Sequence, residues 1–305
     1  MRRCILVLLG LLLSSCLPTG SGQRTVRTST VRVDRVTSLE QSTQVGDKFL
    51  PLEGQPGELV WLTGIKTRCL SAEGVNLSDN FLGYSTLDLR WPEWHNDKFG
   101  ASQSARLFGL GRGVPEFTLP SGYGIPIHSN EPLWYTSRIA NPDPYLPAQQ
   151  LGQELVLDLT RERGLTERIK PVLVRPAEVR QAGNHLWEIG PGASSVRSEI
   201  TDQLYLSESC RRLVGATVWM LESGRKVSLI DLTTGKSLVE FNADLDGKGR
   251  ILRIDTFANG EGVLLDPDHR FALEAQFDNS GKSAGLAAAY SNLYFEDSAF
   301  TKPAR

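Results

Sequence analysis

The chain has 305 residues, 33 basic and 35 acidic side chains, a formal net charge of −2, and a composition 40% hydrophobic and 22% charged. That balance argues against an electrostatic nucleic-acid binder and against a chain too polar to bury a core. One or two ordinary globular domains are left.

The first sixteen residues read as a targeting segment rather than as part of a fold. Arg2-Arg3 precedes an apolar run, Ile5 to Leu13, too short to span a bilayer. Leu13-Ser14-Ser15-Cys16 then resembles the lipobox of bacterial lipoproteins, which implies that Cys16 is lipidated and anchors the protein to a bacterial membrane outside the cytoplasm. A plain secretory signal cut nearby is the alternative, and it gives the same compartment. Of four cysteines, Cys4 and Cys16 fall in this segment, so Cys69 and Cys210 remain as a possible disulfide in an oxidising environment. Residues 17–56, rich in Ser, Thr, Arg and Gln, are expected to form a flexible tether, although Thr25 to Asp34 alternates as an edge strand would.

From residue 57 the pattern is β. Leu59 to Leu70 reads as a long strand bent at Gly64, followed by Phe81 to Leu89. Arg90 to Arg112 reads as a long loop carrying Trp91, Trp94 and His95. With Trp134 these rings either close a sandwich edge or stack on a sugar or an apolar peptide group. Short strands follow at Phe117 to Leu119, Gly124 to Ile127, Leu133 to Ile139 and Glu154 to Thr160. A second block holds Pro171 to Val174, Leu186 to Ile189, a helical turn within Ser198 to Leu204, and a hairpin from Thr217 to Gly235. Strands at Arg250 to Phe257, Phe271 to Phe277 and Ala287 to Phe295 complete it. Short strands between Gly, Asp and Asn turns imply antiparallel sandwiches, with domains at 57–168 and 169–300.

Local chemical motifs are thin. His95, His128, His185 and His269 have no His, Cys or Met at two- or four-residue spacing. Gly109 to Gly113 reads Gly-x-Gly-x-Gly, but no parallel β-α-β unit surrounds it, so it is not a phosphate cradle. Asp244-Leu-Asp246-Gly247 lacks the later ligands of a calcium loop and reads as a turn. Carboxylate pairs for hydrolysis assemble in space and are not legible from spacing.

Several stretches in shared order carry a wider resemblance. They are Phe81-Leu-Gly-Tyr-Ser-Thr-Leu-Asp-Leu, Ser104-Ala-Arg-Leu-Phe and Gly122-Tyr-Gly-Ile-Pro-Ile-His-Ser-Asn-Glu-Pro-Leu in the first block. In the second they are Ile230-Asp-Leu-Thr-Thr-Gly, Asp268-His-Arg-Phe-Ala-Leu-Glu, Asp278-Asn-Ser-Gly-Lys and Asn292-Leu-Tyr-Phe-Glu-Asp. The chain resembles bacterial relatives of the copper type II, ascorbate-dependent (peptidylglycine α-hydroxylating) monooxygenases. The resemblance implies two jelly-roll-like β-sandwich domains in series, with one copper site in each facing a cleft. The matching ligand positions are Tyr84 in the first domain and Trp219, Leu221 and Ala288 in the second, where the family carries His and Met. None of these replaces imidazole or thioether at copper. The expectation is therefore a filled or dried cleft, no bound cofactor, and a non-catalytic binding or structural role at the cell envelope. The partner would be a peptide, a glycan or an envelope protein. An active copper monooxygenase with relocated ligands is the alternative; a hydrolase on the same fold comes third.

Overall fold

The computed structural model of the protein describes residues 21–28, 30–34, 43–50, 57–100, 102–141, 146–163, 165–247, 249–281 and 283–302. Cys16 lies outside them. The fold is all-β; the α-helices among the described residues are two, of eight and four residues.

The first half contributes β1 (Ser21–Arg27), β2 (Val31–Val33), β3 (Thr43–Leu50), β4 (Leu59–Ser71), β5 (Leu82–Leu89), β6 (Arg106–Gly111), β7 (Glu116–Thr118), β8 (Tyr123–His128), β9 (Leu133–Ile139) and β10 (Gln149–Arg161), with helix α1 (Pro92–Phe99) between β5 and β6. The second half contributes β11 (Lys170–Glu178), β12 (Trp187–Ile189), β13 (Gly192–Glu199), helix α2 (Thr201–Leu204), β14 (Arg212–Met220), β15 (Gly224–Asp231), β16 (Lys236–Leu245), β17 (Ile251–Ile254), β18 (Phe257–Leu264), β19 (Phe271–Asn279), β20 (Gly285–Ala287) and β21 (Ala289–Glu296).

Two jelly-roll-like antiparallel sandwiches result, and they share a sheet. In the first, β1-β10-β4-β8 faces β3-β9-β5-β6; in the second, β11-β21-β14-β18 faces β13-β19-β15-β16-β17. The four-strand runs join into one sheet because β8 and β11 pair in parallel, Lys170 opposite Tyr123. Alternation explains the layers. Along β14, Ala216, Val218 and Met220 enter the main core with Phe271, Leu273 and Phe277. Trp219 points the other way, where with Leu221, Ala140 and Ala288 it forms a separate cluster.

Four expectations need correction. The stretch 17–56 is not a tether along its described residues. β1 pairs with β10 over seven residues and β3 pairs with β9, so this segment adds an edge strand to each sheet of the first sandwich. Its alternation is the reason: Val26 packs on the core while Arg27 Nε donates to Glu154 at 2.8 Å. The loop over Arg90 to Arg112 contains α1 and β6. Pro92 opens α1, and Gly100 ends it in the left-handed region at φ 57°.

Thr217 to Gly235 is not a hairpin either. β14 pairs with β18 and β21, whereas β15 pairs with β16 and β19 in the opposite sheet. The turn carries the chain from one sheet to the other, because Leu221 N donates to Ala288 O at 3.1 Å and so ties the end of β14 to β21's sheet. Gly224 is required there, since a Cβ would overlap Met220. The Leu-Thr-Thr-Gly turn instead joins β15 to β16, Asp231 opposite Lys236. Finally, Cys69 and Cys210 are free thiols, buried in two different core clusters. Burial pushes both thiols up, so each behaves as a small apolar core residue.

Candidate functional site

The two sandwiches meet where β6 lies across the face of β14 and β21. Glycine makes the approach possible. A Cβ on Gly109 would stand 2.5 Å from Asn292 Nδ2, and one on Gly111 would overlap the Trp219 indole. The Gly-x-Gly-x-Gly stretch is thus a packing device. Aromatic stacking seals one end of the seam, with Phe117 and Tyr294 centroids 4.9 Å apart and nearly parallel. Polar clasps hold the walls: Ser104 Oγ donates to Val174 O at 3.0 Å, and Val174 N donates to Gln103 Oε1 at 3.0 Å.

At the other end the seam opens into a cavity of about 580 Å³ lined by residues of both halves, including Tyr84, Asp88, Arg106, Glu178, Trp219 and Tyr290. That volume falls in the range of small-molecule sites. β5 supplies Tyr84 and Asp88, two turns of the pleat apart on one face; β6 supplies Arg106, β11 Glu178, β14 Trp219 and β21 Tyr290.

Its aromatic wall is continuous. Trp219 and Tyr290 stack with centroids 5.3 Å apart at 27°, and Tyr84 leans on Trp219 at 6.2 Å and 57°. Trp219 Nε1 donates to Gly83 O at 3.3 Å, which fixes the indole. The polar wall is an ion pair: Arg106 Nε donates to Asp88 Oδ1 at 2.5 Å, and Thr86 Oγ1 donates to Asp88 Oδ2 at 2.8 Å. Glu178 stands at the rim, bound to Arg180 at 3.0 Å, and His185 lines the rim as well. Tyr290 Oη is buried without a hydrogen-bond partner, and burial pushes its phenol up, so it stays a neutral donor.

Three of the four positions matched to copper ligands, Tyr84, Trp219 and Ala288, line this cavity, and Leu221 packs behind them against Ala288. They do not fit copper. Leu221 and Ala288 present carbon, the indole nitrogen of Trp219 is a donor already engaged with Gly83, and Tyr84 offers a lone phenol. Among the described residues no three His, Cys, Asp or Glu side chains gather as a metal site. The cleft is narrowed by aromatic contact yet not filled, so of the expected filled or dried cleft the filled form is corrected.

The Trp-rich segment lies elsewhere. None of Trp91, Trp94, His95 and Trp134 lines the junction cavity. Trp91 is 53% exposed at the start of α1. Trp94 meets the His128 ring edge-on at 5.6 Å, and Arg90 covers Trp134 at 4.5 Å. His95 is fully buried, its Nδ1 held by both Glu131 oxygens at 2.9 and 3.0 Å. His269 binds Asp231 at 2.8 Å beside the Thr-Thr-Gly turn.

Sequence reasoning missed Asp88, Arg106, Glu178, His185 and Tyr290. A signal for two of them was present: Asp88 and Arg106 stand inside stretches that carry the family resemblance. Only the β5–β6 pairing brings them together.

No family model and no curated protein matches the chain. Among solved structures it is similar to a triple jelly roll fold from the turret assembly of an archaeal virus, at 11% identity over 90% of this chain, with a TM-score of 0.23. The chain spans 59% of that protein's length. It is also similar to an infectious bursal disease virus structure, at 8% identity over 90% of this chain and 70% of that one, with a TM-score of 0.21. At those scores the likeness assigns no function.

Proposed function

We propose that the protein is a lipid-anchored, extracytoplasmic binding protein of a bacterial cell envelope, whose ligand site is the cavity between its two sandwiches. It uses a scaffold resembling the copper monooxygenases without their copper chemistry. One observation carries this reading: three of the four positions matched to copper ligands, Tyr84, Trp219 and Ala288, form an aromatic and aliphatic wall of an open cavity, Tyr84 and Trp219 in contact along it. A site that has exchanged metal donors for rings and keeps its volume is suited to holding a molecule.

The test is copper titration of the purified protein with metal content read by mass spectrometry. No stoichiometric copper is expected; one tightly held equivalent overturns the reading. For the anchor, labelling with a radioactive fatty acid is expected to mark the wild type and to fail in Cys16→Ser. Strand β1 begins at Ser21, so five peptide steps, about 17 Å at full extension, join the lipid to the fold. The body then sits against the membrane rather than on a long leash.

A second reading has one observation in its favour. Asp88 and Glu178 both line the cavity, as the two carboxylates of a hydrolase would. Each already faces an arginine, Arg106 and Arg180 respectively. Release of product from a bound ligand, lost in Glu178→Gln, would favour this second reading.

A further inference from the structure

We infer that the ligand of the junction cavity is a neutral saccharide, held by one ring face on Trp219 and by a pair of adjacent hydroxyls on Asp88 and Arg106. The inference rests on the binding reading above and adds to it the chemistry of the ligand.

The polar wall sets the first condition. Arg106 commits Nε to Asp88, and its two terminal nitrogens have no partner among the described residues. Asp88 is held from the other side by Thr86. A fixed donor and a fixed acceptor therefore stand side by side at the cavity wall. A hydroxyl both donates and accepts, a carboxylate only accepts and a guanidinium only donates. Two neighbouring hydroxyls on a sugar ring match that pair, one donating to Asp88 and the other accepting from Arg106. Because the two charges cancel, and Glu178 is offset by Arg180, the lining offers no surplus charge to select an anion or a cation.

The aromatic wall sets the second. Trp219, backed by Tyr290 at 5.3 Å and fixed through Gly83, is a rigid platform. The C–H face of a sugar ring is apolar while its rim is polar, so it can lie on an indole and turn its hydroxyls to Asp88 and Arg106. A peptide fits less well. Extended peptides bind by joining a sheet edge; β5 and β21 are already paired on both sides, and β6, an edge strand of its sheet, is pressed through Gly109 and Gly111 against Asn292 and Trp219.

Isothermal titration of the full-length lipoprotein in detergent tests this, with neutral disaccharides (cellobiose, maltose, lactose, chitobiose and mannobiose), glucuronate, and the tripeptide Ala-Ala-Ala as probes. At least one neutral disaccharide is expected to bind, with affinity at least about tenfold weaker in Arg106→Met and in Trp219→Ala. Asp88→Asn keeps the shape of the ion pair and guards against loss of fold, which circular dichroism monitors; it is expected to weaken binding similarly. Failure of every saccharide, preference for glucuronate, or saccharide binding indifferent to all three substitutions overturns the inference. Tripeptide binding sensitive to Trp219→Ala, without saccharide binding, overturns it and leaves the binding reading standing. Disaccharide cleavage upholds the saccharide and overturns the non-catalytic reading.

Discussion

Two clusters of ionisable and aromatic side chains among the described residues have opposite outcomes. Beside α1, His95 and Glu131 are both fully buried and bound to each other, with Phe99 packed on the imidazole at 4.6 Å. At the junction, Asp88, Arg106, Tyr290 and Trp219 surround about 580 Å³ of space; each group holds one buried unpartnered atom, His95 Nε2 and Tyr290 Oη, so the open volume is what separates them. The first group contains the residue types most often associated with chemistry, and its pairing organises a corner: Glu131 also accepts from His128 N at 3.2 Å. The second contains a tryptophan, a tyrosine pair and an ordinary cross-strand ion pair. Residue type sets what a group is able to do; accessible volume beside it decides whether anything arrives.

The contrast can be broken by substitution. Glu131→Ala should have the largest effect on stability, about 3–5 kcal/mol, because it strands a buried histidine. Chemical denaturation measures that loss; ligand affinity at the junction should not follow it. Gly111→Val should cost about 1–3 kcal/mol through overpacking against Trp219. Unlike the first substitution, it should also abolish binding, since the indole must move. Asp88→Asn should change stability by less than about 1 kcal/mol, as its pair with Arg106 is part-exposed, while titration shows the weakened ligand. A change in stability well above that would identify Asp88 as structural and blur the distinction between the two regions.

The smallest effect concerns His269, away from both regions. Its hydrogen bond to Asp231 raises its pKa. Burial works to raise Asp231, but bonds from His269, Thr234 and Thr233 outweigh it and hold that carboxyl low. A raised histidine stabilises fully below its unfolded value, about 6.5, and the contribution fades as pH rises through the raised value. A lowered carboxylate contributes above its unfolded value and loses that contribution as pH falls through the lowered one. The Tm difference between wild type and His269→Asn should therefore be largest in mildly acidic solution, and shrink toward alkaline and strongly acidic pH. A flat difference across that range would remove the pair from the account.

How much was legible follows from the range of each interaction. The strand content and many of its boundaries are visible because alternation is local: β14 runs Val218 in, Trp219 out, Met220 in. The opposed faces of Met220 and Trp219 could be read directly from their adjacency. What β14 pairs with could not be read. A turn of suitable length suggested a hairpin, and the backbone of Leu221 bonding to Ala288 sent β15 to the other sheet. The tether failed for a similar reason, since polar residues on an edge strand look like a spacer until β10 is beside them.

By itself the sequence determined an all-β chain in two sandwiches. Period-two burial is written into neighbouring residues, so no partner need be known to see it. Tertiary structure alone decided that the sandwiches share a sheet through β8 and β11, that Cys69 and Cys210 stay apart, and that Asp88 and Arg106 meet Trp219 around open space. Those outcomes depend on which surfaces approach closely. Here the missing side chains of Gly109 and Gly111 set that approach, and a cavity is defined by the distance between walls rather than by either wall's residues.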